Sequence, residues 1–159
     1  ALATIKENND IQFIWQTGKY YYPQVTEAVR AAGELPNLYV TDFIKDMAAA
    51  YAASDLVISR AGAGSISEFC LLHKPVVLVP SPNVAEDHQT KNALALVDKQ
   101  AAIYVKDSEA EAKLMDVALN TVADDRKLKE LSENIAKLAL PDSARIIAQE
   151  VIKLAEAEN

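Results

Sequence analysis

Five short runs rich in β-branched or aromatic residues, at 11–17, 37–41, 55–60, 75–80 and 102–106, are separated by stretches long enough to be helices. Such alternation leaves a chain few options. Parallel strands need a crossover between one strand and the next, the crossover is right-handed, and its helices cover both faces of the sheet. The pattern predicts an α/β domain with a Rossmann-like parallel sheet and helices on both faces. Val25, Ala28, Val29 and Ala32 fall at helical spacing and stop at Gly33, the residue type expected just past a helix end. Segments 47–53, 65–73 and 86–99 supply further crossovers. After the last run the pattern is purely helical, over 108–122, 124–138 and 141–156. In the final segment Ala144, Ile147, Ala148, Val151 and Ala155 share one face, and Pro141 sits where a first-turn proline is tolerated.

With 159 residues and 50% hydrophobic content, the chain can bury one core, about 70% of its unfolded surface by the usual size scaling. A single domain over 1–159 is the expectation. The net charge is −7 with acids and bases interspersed, so there is no basic patch for a nucleic-acid backbone and no polybasic segment for anionic lipid. Cys70 stands alone within an apolar run, which excludes an internal disulfide and reads as inert core. No apolar run approaches the roughly 20 residues of a membrane span, and no signal-peptide pattern opens the sequence; a soluble chain is expected. The sequence opens without Met, on residues that read as the tail of a helix, and a fragment is expected.

In open α/β sheets ligands bind beyond the carboxyl ends of the strands, which directs attention to 41–47, 60–65 and 80–92. The middle loop is the most informative. Residues 55–60 run through Gly62 and Gly64 into a helix, where glycines let the backbone adopt conformations closed to other residues and let a ligand approach the main chain. The helix start presents unpaired N–H groups to an anion. The same residues also fit a capping box, with Ser65 and Glu68 satisfying amides of the first turn. No third glycine and no Walker lysine follow. Glu86, Asp87 and His88 are neighbours on a turn entering a helix and do not converge on one metal ion, while His73 lies elsewhere. The sequence GAGS is not the elbow of a serine hydrolase.

Taken in order, segments 40–51 (VTDFIKDMAAAY), 59–68 (SRAGAGSISE) and 79–93 (VPSPNVAEDHQTKNA) resemble the C-terminal half of the MurG family of GT-B glycosyltransferases. That family adds N-acetylglucosamine to the lipid-linked muramyl-pentapeptide precursor of peptidoglycan, and the resemblance covers nearly the whole chain. It implies a UDP-N-acetylglucosamine donor as substrate, no cofactor and no metal. Phe43 and Ile44 would lie against the uracil, with a backbone amide and carbonyl reading its edge, and Met47 would help close the pocket; read without the resemblance, the three are ordinary core at a helix start. Glu68 would accept hydrogen bonds from both ribose hydroxyls, in competition with capping. Gly62, Ala63, Gly64 and Ser65 would offer amides and a hydroxyl to the phosphates or the sugar and stabilise the leaving UDP. Arg60 would assist them or serve a surface or structural ion pair. His88, Gln89 and Asn92 would face the sugar hydroxyls, Gln89 being the best placed to read them. Some members carry glutamine where this chain has His88, which donates to the sugar or phosphate or caps the helix. Asn83 and Glu86 form a second capping-box pattern.

The resemblance also implies what the chain lacks. The family's C-terminal half opens with a strand and a glycine- and serine-rich loop that touch the donor, and this sequence begins after them, so the sheet is expected to miss a strand. The N-terminal half, which binds the lipid-linked acceptor, carries the membrane-contacting patch and supplies the base, is expected to be absent, and no catalytic residue is assignable here. The parent enzyme would perform an inverting transfer in cell-wall synthesis, in the cytoplasm and peripheral on the inner membrane. Two other readings stand beside it: a separate nucleotide-binding subunit of a two-chain N-acetylglucosaminyltransferase, and a UDP-sugar epimerase, which would need further acids and histidines in a cleft. A non-catalytic α/β module is the simplest.

Overall fold

A computed structural model of the chain describes residues 1–83 and 87–157. The elements run α1 (Leu2–Glu7), β1 (Phe13–Gln16), α2 (Gly18–Ala32), β2 (Leu38–Thr41), α3 (Met47–Ala53), β3 (Val57–Ser59), α4 (Ala63–Leu72), β4 (Val76–Leu78), α5 (His88–Val97), β5 (Ile103–Tyr104), α6 (Asp107–Val122), α7 (Asp125–Ala136) and α8 (Ser143–Ala157). Each expected strand is present, shortened at its ends. Helix α2 begins seven residues before its apolar periodicity does and carries Pro23 inside it, because the first two turns face solvent and need no apolar stripe. It ends at Gly33, whose φ of 88° is the left-handed region glycine enters freely.

Every ladder is parallel. β4 pairs with β3 in the register Val57↔Val76 and with β5 in the register Val77↔Ile103. Its three residues are wholly buried, as a central parallel strand covered on both faces must be. Successive side chains point to opposite faces. Val76 and Leu78 join Phe69 and Cys70 of α4, Ala93 and Leu96 of α5 and Ile135 of α7. Val77 and Val79 pack with Val105 and with Ala110, Leu114 and Val117 of α6. Helices α4, α5 and α7 therefore cover one face of this sheet and α6 covers the other.

The expected single sheet is divided. β1 pairs with β2 in the register Phe13↔Leu38, and among the described residues no ladder joins this pair to the three-stranded sheet. Among the described residues β1 and β3 each bond a strand on one side only. The buried Asn37 anchors the smaller sheet, its amide nitrogen donating to the carbonyls of Ile5, Asn8 and Ile11 at 2.9 to 3.1 Å. The two sheets are linked through α3 and α4: the Tyr51 and Phe69 rings meet edge to face at 5.8 Å, and the Lys74 ammonium donates to the Ser54 carbonyl at 2.8 Å.

Helix α8 forms as expected, yet its apolar face is uncovered: Ile146, Ile147, Val151, Ile152 and Leu154 are all exposed. Its first turn starts at Ser143, so Pro141 lies before the helix rather than within its first turn. Cys70 is buried in the core, and burial pushes its thiol pKa up. No helix among the described residues is long and apolar enough to cross a membrane.

Candidate functional site

The three loops singled out in the sequence follow β2, β3 and β4 and so share the carboxyl side of their parallel strands. In the first, Asp46 caps α3 by accepting the Ala49 N–H at 3.0 Å, which fixes the turn carrying Phe43 and Ile44. Phe43 is 61% exposed, so it is not the core residue that a reading without the resemblance makes it. It lines a groove with Ile14, Tyr39, Ile44 and Ala50. Met47 lies on the opposite flank of α3, in a second groove with Tyr51, Glu68, Leu72 and Lys74. The structure thus brings Phe43 to Ile44 and Met47 to Glu68, in neighbouring grooves separated by one helix.

The second loop departs from expectation in two ways. Gly62 has φ −69° and Gly64 is helical, and neither is among the residues with positive φ; their backbone conformations are open to any residue. What glycine does provide is room, because a Cβ built at either position meets nothing within 4 Å. The capping box is also absent. Helix α4 starts at Ala63 with Gly62 as its N-cap and no side-chain cap bond, which places Ser65 within the first turn rather than before it. The first intrahelical bond recorded is Ile66 N–H to the Gly62 carbonyl at 3.0 Å, so the amides of Ala63, Gly64 and Ser65 precede the ladder. Glu68, released from capping, accepts the Tyr51 hydroxyl at 3.1 Å.

Arg60 satisfies the structural ion-pair reading. Its guanidinium donates to the carbonyls of Val79 and Pro80 at 3.1 and 3.3 Å and pairs with the Asp107 carboxylate, tying the ends of β3 and β4 to the start of α6. In the third loop the Gln89 carboxamide oxygen accepts the Ser81 N–H at 2.9 Å, and the Asn92 amide donates to the Ala61 carbonyl at 3.2 Å. The first bond ties α5 to the loop after β4, and the second holds it against the glycine turn. His88 is exposed in the first turn of α5, behind Asp87, the N-cap residue, whose carboxylate accepts the Thr90 hydroxyl at 2.6 Å. Asn83 donates its N–H to the Ser81 hydroxyl; Glu86, its proposed capping partner and a member of the weighed metal trio, lies outside the described residues.

Two residues escaped the sequence reading. Gln16, the last residue of β1, accepts the Ile44 N–H at 2.8 Å, so that amide is already engaged within the chain. Its position at the carboxyl end of a strand is the only signal that pointed to it. Tyr51 stands at the end of a motif segment, but nothing local foretells its bond to a residue 17 positions away. Burial, the hydrogen bond to Glu68 and the repulsion of that carboxylate push its pKa up to about 12.

Residues 1–147 match the glycosyltransferase family 28 C-terminal domain. A protein of Bacteroides fragilis named UDP-N-acetylglucosamine–N-acetylmuramyl-(pentapeptide) pyrophosphoryl-undecaprenol N-acetylglucosamine transferase is 79% identical over 155 residues, 98% of this chain and 41% of its own length. A relative of the same name from Phocaeicola vulgatus is 70% identical over 145 residues, 91% of this chain and 39% of the relative. The crystal structure of MurG from Acinetobacter baumannii superimposes with a TM-score of 0.77 at 28% identity, over 88% of this chain and 42% of that one. The chain therefore spans about two-fifths of the length of the curated relatives it matches.

Proposed function

The chain belongs to the glycosyltransferase family 28 C-terminal domain family, and from that premise we propose that it is the donor-binding half of an inverting transferase. The donor is UDP-N-acetylglucosamine and the acceptor the lipid-linked muramyl-pentapeptide named in its relatives. The observation that carries the reading is the placement of Glu68: its carboxylate faces the groove it shares with Met47 and Tyr51, one turn beyond open amides at the start of α4. A carboxylate there accepts two ribose hydroxyls, while a helix start beside it receives phosphate.

In the reaction the acceptor hydroxyl oxygen bonds to the anomeric carbon as the bond from that carbon to the β-phosphate oxygen breaks, and the electron pair leaves with UDP. The amides of Ala63, Gly64 and Ser65 lower the energy of the charge that develops on the diphosphate. Phe43 and Ile44 hold the uracil just before the start of α3, whose first residue, Met47, lies on the Glu68 side, and Gln89, His88 and Asn92 meet the sugar. Arg60, engaged with Asp107 and the Val79 and Pro80 carbonyls, shapes the loop. The proton of the acceptor passes to a base on another half of the enzyme, which also binds the lipid and brings the protein to the cytoplasmic face of the membrane. Support for such a half comes from apolar surface left uncovered at Ile14, Trp15 and Tyr20 and along α8.

An amide NMR titration of the chain with UDP-N-acetylglucosamine, and with a guanine sugar nucleotide as control, tests the reading. Saturable shifts at Phe43, Ile44, Gly64, Ser65 and Glu68 with the uracil donor alone are expected, without turnover by the chain itself. Equal response to both nucleotides, or no shift in a folded sample, rejects it.

A further inference from the structure

Glu68 is an exposed side chain on a helix surface, and a free carboxylate of that length samples many rotamers. This one is not free. The Tyr51 hydroxyl donates to its Oε2 at 3.1 Å from across the groove between α3 and α4. Tyr51 is held in turn by the core: its ring stands perpendicular to that of Phe69, which is 1% exposed, and packs against the main hydrophobic cluster. A cation lies nearby in the same groove, yet the Lys74 ammonium is bonded to the Ser54 carbonyl. The partner of Glu68 is thus a neutral donor, which leaves the carboxylate its full charge and most of its roughly four lone-pair sites.

We propose that Tyr51 is a positioning residue that fixes the Glu68 carboxylate for a ribose cis-diol and so sets the preference of this site for ribonucleotides. The inference rests on the donor-binding reading above. Because the hydroxyl keeps its proton far above neutrality, it donates throughout the working pH range and never repels the carboxylate as a phenolate.

The test uses Tyr51→Phe, which keeps the ring that packs on Phe69 and removes only the hydroxyl. Calorimetric titrations with UDP and with 2′,3′-dideoxy-UDP are compared between the two proteins. UDP is expected to bind the variant about three- to tenfold more weakly, the range that one net hydrogen bond commands, while the dideoxy nucleotide, which has no diol to meet Glu68, binds both proteins alike. Glu68→Gln should show the same selectivity. Equal weakening toward both nucleotides would mean that the hydroxyl only supports packing, and an unchanged UDP affinity would mean that it does nothing for the carboxylate; either overturns the proposal. If the unaltered chain binds neither nucleotide, the donor-binding reading itself falls, a result distinguishable from both.

Discussion

Gly64 separates two reasons for placing a glycine at a helix start. Its conformation is helical and a Cβ has open space, so Gly64→Ala should stabilise the fold by about 0.5–1 kcal/mol through the lower entropy of the unfolded chain. If the main chain there meets a diphosphate, the same methyl group intrudes on the ligand. Thermal melting and nucleotide titration of one variant should therefore move in opposite directions; weaker melting with unchanged binding would remove the glycine turn from the site. Tyr51 makes a second prediction. Its pKa is about 12 in the fold against 10.0 for an ordinary tyrosine, so between those values the unfolded chain loses a proton that the folded one keeps. Its contribution is complete below pH 10 and disappears as pH rises through 12. The stability difference between the protein and Tyr51→Phe, measured by urea unfolding, should shrink across that window. At this scale the sequence singled out residues and their residue types, but not the hydrogen-bond partners the fold gives them. The Ser65 and Glu68 pattern fits a capping box perfectly well until α4 is found to start at Ala63.

The helices differ in how they are held. Helix α7 turns Leu131 and Ile135, one turn apart, fully inward, and its N-terminus is capped by Asp124 accepting the Lys127 N–H at 3.0 Å. Helix α8 has apolar residues at the same kind of spacing and buries none of them. Ile135→Ala should cost about 2–5 kcal/mol in denaturant unfolding, as deletion of a buried aliphatic side chain does, whereas removing residues 141–159 should change core stability by less than about 1 kcal/mol. A large loss on truncation would show that α8 docks in solution. Element existence was readable because a period of two or of 3.6 is written locally. Whether an apolar stripe finds a partner is not, and α7 and α8 have the same signature with opposite outcomes.

At the scale of the molecule, stability is uneven. β4 sits between two strands and two helical layers with every residue buried, while three of the four residues of β1 are exposed and, among the described residues, its sheet has two strands. Opening of the smaller sheet should require less than global unfolding. Amide exchange in β1 and β2 should exceed that in β4 by at least about tenfold, a gap of roughly 1.4 kcal/mol; equal protection would show the two sheets opening as one. By itself the sequence determined the class of fold, the order of strands and helices, and the three loops that follow β2, β3 and β4, since periodicity, turn chemistry and motif spacing are properties of neighbouring residues. Only the tertiary structure decided that the sheet is divided, that α8 is left open, that Gln16 meets Ile44 and that Tyr51 meets Glu68. Those outcomes depend on distances between residues far apart in the chain, which no local pattern records.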